Sequence, residues 1–397
     1  MITAGIICEY NPLHLGHLWH IEQTKRALGH DCAVVCVMSG NFVQRGDFAV
    51  FSKHARAQAA VSCGADLVVE LPSPYALSSA EIFARSGVYL LHELGICSHI
   101  SFGSESGDIG ELKQAAQAML SFEADAMTKK WLDTGISYAK ACQKAADAML
   151  GPQSKLFETP NNLLGIEYLK AIEQIGAALT PVTVKRAGDA HDSPEGQSGS
   201  ALRKMLYNAE PPWKYMPPQA AHVYMNEIEL GRGPVSMKDC ELAILSRLRA
   251  ATLDDFLQLP GTSEGLEQRF IKHARTAPGV AQVLEGVKTK RYAMSRLRRM
   301  LMCLCLGITA ADTALPPPYI RVLAINGAGM RLLKEAGMKT RLPIITKPAS
   351  AQKLPEPARS LFYKEAAATD FYALAYRDET QRIGGAEWLT SPYIMRD

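Results

Sequence analysis

Two imidazoles, His14 and His17, flank Gly16 in the run Glu9-Tyr10-Asn11-Pro12-Leu13-His14-Leu15-Gly16-His17. The apolar stretch before it, Gly5-Ile6-Ile7-Cys8, reads as a buried strand, Asn11-Pro12 as a tight turn, and a helix begins near Gly16. Free N–H groups and the dipole at a helix N-terminus favour an anion. Gly16 lets the backbone approach a phosphate that a Cβ would hold off. Imidazole N–H groups there can donate to phosphate oxygens as charge grows in a transition state. The plainer alternative is a pair of cap or surface histidines. A metal reading also exists, because His14, His17 and His20 recur every third residue. Helical zinc sites pair histidines four residues apart beside a carboxylate or thiolate, so no metal is assigned.

A bound polyphosphate needs cations and N–H groups at both ends, and a second anion-binding set lies far along the chain. Lys185-Arg186 ends a candidate strand, and Ser198-Gly199-Ser200-Ala201-Leu202-Arg203 reads as a helix start. Ser198 or Ser200 caps that helix and Arg203 sits on its first turn. Taken alone, this is an ordinary N-cap with a solvated arginine. Paired with the histidines almost two hundred residues earlier, it fits one site assembled from the two ends of a single sheet.

The elements around these groups alternate. Candidate strands Ala4–Cys8, Ala33–Met38, Leu67–Glu70, His99–Phe102 and Val182–Lys185 are separated by helical stretches near Leu18–Leu28, Lys53–Ser62, Ser79–Leu94, Ile109–Leu120 and Asn162–Gln174. This predicts a parallel sheet covered on both faces, with ligands at the carboxyl ends of its strands. The second strand ends in Ser39-Gly40-Asn41-Phe42-Val43-Gln44-Arg45-Gly46, a polar loop between glycines. Four prolines within residues 211–218 mark a boundary, since proline cannot continue a helix. From Cys240 to Leu306 the pattern is helical. After Pro316-Pro317-Pro318 come a strand Ile320–Ile325, a helix Met330–Glu335 and a short strand Pro343–Thr346. The expected division is 1–210, an α/β nucleotide unit; 211–314, helical; and 315–397, a small α/β tail.

These segments together resemble the bacterial tRNA(Met) cytidine acetate ligase family. The resemblance rests on the first motif, on Met38 through Gly46, and on Gly64-Ala65-Asp66-Leu67-Val68-Val69-Glu70-Leu71-Pro72. It extends through Phe102-Gly103-Ser104-Glu105, Asn161-Asn162-Leu163-Leu164-Gly165, Ser263-Glu264-Gly265-Leu266-Glu267 and Thr289-Lys290-Arg291-Tyr292, and so covers most of the chain. His-x-Gly-His is itself similar to the motif of nucleotidyltransferases, which split a nucleoside triphosphate between its α and β phosphates. The resemblance implies a Rossmann-like nucleotidyltransferase domain, followed by a mainly helical region and the small tail. The implied activity is an ATP-dependent ligase: acetate attacks the α phosphate, and the acetyl-adenylate acetylates the wobble cytidine amine of elongator tRNA(Met). Nucleotide contacts would fall on the turn Ile7–His20, including Tyr10, Asn11, Gly16 and His17, and on Gly103, Asn161, Asn162 and Arg186. Lys185, Ser198, Ser200 and Arg203 would hold the pyrophosphate end, and His14, His17 and Arg45 would act in catalysis, Arg45 on the acetate carboxylate or a transition-state oxygen. The family commonly has Phe-His-Asn-Gly-His where this chain has Leu13-His14-Leu15-Gly16-His17, and a threonine within the later serine motif. The first change alters no phosphate-contacting residue type, and the second retains a hydroxyl. Glu105 and Asp66 read as structural groups of the sheet.

Forty-three Lys and Arg against forty Asp and Glu leave a net charge of +3, so any RNA surface must be local. Lys288 to Arg299 holds six cations and no acid. Read as one helix, it turns Met294, Leu297, Leu301 and Leu304 inward and presents Lys288, Lys290, Arg291, Arg296 and Arg299 to phosphates, with Tyr292 at the rim. The nine cysteines form no Cys-x-x-Cys pair, no apolar run reaches membrane length, and the expected compartment is the cytoplasm. Magnesium is expected with the triphosphate. Two rivals remain: a small-molecule adenylyltransferase of cofactor biosynthesis, and a non-catalytic protein that binds ATP and RNA.

Overall fold

Five parallel strands carry the site: β1 (Thr3–Cys8), β2 (Ala33–Ser39), β3 (Leu67–Leu71), β4 (His99–Ser104) and β5 (Thr180–Lys185), in the order β3-β2-β1-β4-β5. The structure, a computed structural model, describes residues 2–134, 136, 138–186, 198–262, 265–289 and 292–396. β2 and β3 are buried at every position, as a sheet covered on both faces requires, and their sequences accordingly run apolar without alternation. Parallel neighbours need crossovers. These include α1 (Leu15–Leu28), α2 (Lys53–Ser62), α3 (Ala80–Glu93) and α4 (Pro160–Ile175).

The strand–helix–strand expected after residue 315 is present, and its strands extend the N-terminal sheet. β6 (Ile320–Ile325) runs antiparallel beside β3, Leu67 facing Ile325. Short strands at Ile344–Ile345 and Tyr393–Ile394 pair with β6 in turn. The glycine-rich turn after β6 therefore lies at the amino ends of the parallel strands, away from the histidines. A Cβ on Gly329 would lie 1.9 Å from the Asp66 carbonyl oxygen, so this glycine serves close packing and not phosphate approach. Asp66 is structural, as expected: its carboxylate accepts from the Val34 N–H and the Asn326 amide.

Past the proline boundary, α5 (Gly199–Tyr207) and α6 (Pro218–Glu229) flank the first turn of the sheet, and further helices lead to α7 (Met294–Leu306). The helical region's core includes Phe42 and Phe48 from the small hairpin Phe42–Val43/Asp47–Phe48, and Tyr372 of α8 (Ala358–Ala373). A buried ionic chain fastens the tail to the sheet. Lys53 of α2 bridges Glu70 and Glu387 at 2.7 Å each, and Arg321 of β6 reaches Glu387 at 3.2 Å. Among the described residues, no helix is long and apolar enough to cross a membrane.

Candidate active site

The turn after β1 is held by groups from distant segments. Tyr10 takes a left-handed backbone (φ 45°), uncommon for a bulky residue. Its ring is buried and its hydroxyl meets Cys36 Sγ at 3.6 Å. Ile7 likewise belongs to the core. Both side chains are therefore taken up by the core. The Asn11 side chain accepts from the Val50 N–H at 2.7 Å, and its carbonyl accepts from Arg203 Nη1 at 2.6 Å. The Leu13 N–H donates to the Tyr224 hydroxyl at 3.0 Å. Tyr224, on α6, is fixed by stacking on Phe51 with ring centroids 4.4 Å apart.

His14 is the N-cap of α1, and the two histidines of the motif cap the helix reciprocally. His14 Nδ1 accepts from the Gly16 N–H at 3.1 Å, and His17 Nδ1 accepts from the His14 N–H at 3.3 Å. A neutral imidazole accepting at Nδ1 carries its proton on Nε2, so each ring keeps one N–H donor. The rings lie 3.9 Å apart. Burial, then Arg186 and Arg203, lowers His14 to about 4. Burial, then His14, Arg186 and His20, puts His17 well below the ordinary histidine range. Two neutral donors thus stand side by side at a helix N-terminus, each able to hydrogen-bond a phosphoryl oxygen through Nε2–H while its Nδ1 keeps the cap. His20 does different work. Its Nε2 lies 3.0 Å from Ser101 Oγ, which also meets Thr24 Oγ1 at 2.6 Å, joining α1 to β4.

Opposite His14 stands the second helix start. Ser198, and not Ser200, caps α5, accepting from the Ala201 N–H at 3.3 Å. Ser200 Oγ accepts from Arg203 Nη2 at 3.1 Å. A Cβ on Gly199 would sit 3.8 Å from His14 Nε2, so the two helix N-termini meet. Arg186 crosses Gly103, where a Cβ would press on its Cγ at 3.2 Å, and its charge lowers all three histidines. Lys185 beside it, at the end of β5, is exposed. Asn161 and Asn162 begin α4, where Glu105 receives the Asn161 amide at 2.6 Å and the Asn162 N–H at 2.8 Å. Burial raises the Glu105 carboxyl, but these donors outweigh it and hold the group below its usual range. That helix N-terminus already has its anion. Glu105 is structural, as read, but it caps α4 and does not serve the sheet.

Arg45 is exposed at the tip of the small hairpin. Glu9 accepts from the Gln44 N–H at 2.7 Å, tying this tip to the histidine turn. Two supports escaped the sequence reading. Arg56, fully buried on α2, donates to the carbonyls of Phe51 (2.9 Å), Glu9 (2.6 Å), Ser39 (3.1 Å) and Gly40. It gathers the carboxyl ends of β1 and β2 from beneath. No local signal marked Arg56, since Ser52 and Lys53 at i−4 and i−3 offer it an ordinary polar face. For Tyr224, 211 residues from its partner, no local signal exists.

The basic segment differs from its expected form. α7 starts only at Met294, and Lys288 is exposed just after the preceding helix, Val280–Val287. Lys290 and Arg291 lie outside the described residues. Leu297, Leu301 and Leu304 are buried as expected. Arg296 and Arg299 are half-buried, each donating to a carbonyl: Arg296 to Gly261 (Nε, 3.1 Å) and Arg299 to Gln44 (3.3 Å). Arginines near a helix N-terminus face the positive end of its dipole, and these carbonyls, with Asp47 pairing Arg298 at 3.2 Å, offset it. Tyr292 is buried, with the Arg296 guanidinium 5.2 Å from its ring centroid, so it offers no rim for stacking.

Paired donors at facing helix ends, on the carboxyl side of a parallel sheet, are the equipment of a nucleotidyltransferase. The model of the family described as HIGH Nucleotidyl Transferase matches residues 1–386. The chain is 42% identical over 389 residues to the tRNA(Met) cytidine acetate ligase of Caldicellulosiruptor saccharolyticus, 95% of each chain being covered. It is 35% identical over 418 residues to that of Acetivibrio thermocellus, covering 100% of both. Among solved structures, Thermotoga maritima TmcAL bound with alpha-thio ATP superposes with a TM-score of 0.92, at 32% identity and 100% coverage of both chains. The chain belongs to the tRNA(Met) cytidine acetate ligase family.

Proposed function

We propose that this chain joins acetate to the wobble cytidine of elongator tRNA(Met) at the expense of ATP. An acetate oxygen attacks the α phosphorus and pyrophosphate leaves. The exocyclic amine of the cytidine then attacks the acetyl carbon, AMP leaves, and the amine loses a proton, giving N4-acetylcytidine. The observation that carries this reading is the pair of neutral Nε2–H donors of His14 and His17, their rings 3.9 Å apart, with His14 Nε2 beside the start of α5 and Arg203 bound to the Asn11 carbonyl of the same turn. The ATP analogue held by the Thermotoga maritima neighbour and the shared name of the relatives support it.

The donors of His14 and His17 stabilise charge developing on the α-phosphoryl oxygens. Gly16 and Gly103 let the nucleotide approach the main chain. Arg186, Arg203, Lys185 and the hydroxyls of Ser198 and Ser200 receive the departing pyrophosphate. Asn161 and Asn162 border the nucleotide, and Arg45 meets the acetate carboxylate. Magnesium accompanies the triphosphate. Among the described residues no group of three His, Cys, Asp or Glu side chains is placed to hold a metal. The helical part, 211–314, receives tRNA through Lys288, Lys290 and Arg291, with Arg296 and Arg299 on its inner edge. The compartment is the cytoplasm.

Incubation with ATP, tRNA and isotopically labelled acetate, followed by nucleoside mass spectrometry, tests the whole reading. Labelled N4-acetylcytidine with equal AMP and pyrophosphate is expected. AMP retained on a small acceptor, with cytidine unchanged, favours the adenylyltransferase rival.

A further inference from the structure

The hairpin that carries Arg45 has strands of two residues each, far too short to hold a turn in place unaided. It is gripped from two sides instead. On the nucleotide side, the Gln44 N–H donates to Glu9 at 2.7 Å, and the Val50 N–H just beyond the hairpin donates to Asn11 at 2.7 Å. On the helical side, Arg299 Nη1 donates to the Gln44 carbonyl at 3.3 Å and Arg298 pairs with Asp47 at 3.2 Å. Gln44, the residue before Arg45, is therefore held at both main-chain polar atoms, one by each half of the chain. Gly46, directly after Arg45, has φ +74°, and a Cβ there would lie 2.3 Å from the Arg299 nitrogen. The turn thus lies in backbone contact with α7.

We propose that Arg299, assisted by Arg298, is a positioning residue for acetate activation, clamping the Gln44–Gly46 turn so that Arg45 is held at the nucleotide site. The inference rests on the reading of Arg45 as the acetate contact. It makes the helical half part of the adenylation machinery, even without RNA. Loss of activity on neutralising this helix would then not report RNA binding alone.

The test compares the full-length protein with Arg45→Ala, Arg299→Ala and Arg299→Lys, all without tRNA, by two readouts. The first is acetate-dependent ATP–pyrophosphate exchange. Arg299→Ala should raise the acetate KM about tenfold, the scale of one lost hydrogen bond to a charged group, with the ATP KM and the far-UV spectrum unchanged. Arg299→Lys should restore part of the loss, because an ammonium still donates to the carbonyl. The second is trypsin cleavage at Arg45–Gly46, followed by mass spectrometry, which reports local opening of the turn independently of activity. Arg299→Ala should be cut there several-fold faster, with other early cleavages unaltered. Wild-type cleavage and an unchanged acetate KM in Arg299→Ala overturn the clamp, as does an equal rise of both KM values. If Arg299→Ala is cut faster while Arg45→Ala leaves the acetate KM unchanged, or the wild type lacks acetate-dependent exchange, the clamp stands as a structural device. Its assigned role in acetate activation is then overturned together with the reading of Arg45.

Discussion

The reciprocal cap formed by His14 and His17 lets structural and chemical roles be separated atom by atom. His14 Nδ1 accepts from the Gly16 N–H at 3.1 Å, while its Nε2, the atom near Gly199, is the donor. Asparagine places an amide oxygen near the Nδ1 position and cannot reach Nε2; glutamine places an amide N–H near Nε2 and gives up the cap. His14→Asn should therefore keep the helix start and lose the donor. Removing one preorganised transition-state donor costs about 10²–10³ in rate, whereas a lost N-cap costs about 1 kcal/mol of stability. In a chain of this size that is a shift of about 2 °C or less in melting temperature. The expected pattern is crossed. His14→Asn melts like the wild type but exchanges pyrophosphate at least about a hundredfold more slowly; His14→Gln melts earlier and retains more of the rate. Exchange kinetics and calorimetry on both variants read this directly. Wild-type exchange in His14→Asn would refute the donor role, and a reversed pattern would reassign the two ring nitrogens.

Three further outcomes follow from the same geometry. Between about pH 4 and the ordinary histidine value of 6.5, the unfolded chain carries a proton on His14 that the folded chain refuses. Its contribution is complete above 6.5 and is lost as pH falls towards 4, about 3 kcal/mol for this group. Glu365 works oppositely, since burial and then Glu70 push it up to about 8, and its contribution is lost as pH rises. The wild-type curve should therefore fall more steeply with acid than that of His14→Asn when both are unfolded in urea from pH 7 to 4, and parallel curves would refute the assignment. Tyr224→Phe leaves the Leu13 N–H without its acceptor but keeps the stack on Phe51; we expect about 1–3 kcal/mol of destabilisation and slower exchange, and an unchanged rate would show that the turn holds itself. Glu387→Gln uncouples Lys53 from Arg321 inside the protein, and breaking such a buried pair costs about 3–5 kcal/mol; a loss below 1 kcal/mol in urea unfolding would show the chain to be dispensable.

What the sequence disclosed, and what it did not, divides along a chemical line. The strand before the histidines, the helix start at each anion-binding motif and the meeting of the two were legible, because strand pattern and cap chemistry are local and residue-specific; the choice of Ser198 over Ser200 as the cap was not. The antiparallel docking of Ile320–Ile325 was not, since an apolar strand reads alike whichever edge it joins. The start of α7 at Met294 also went unread, because Ala293 before it supplies no side-chain cap. The arginines show why the rest of the site was hidden. Arg56, Arg203, Arg296 and Arg299 all donate to main-chain carbonyls. An arginine paired with a carboxylate leaves two marks in a sequence, and periodicity or charge pattern can match them. One paired with a carbonyl leaves a single mark, because every residue has a carbonyl and none announces that its own is in use. In this chain those pairings join the halves of the site: Arg203 to the histidine turn, Arg56 to the strand ends, Arg299 to the hairpin of Arg45. The groups that do chemistry can therefore be found by type and spacing, whereas the groups that hold them in register become visible only when the backbone is folded around them.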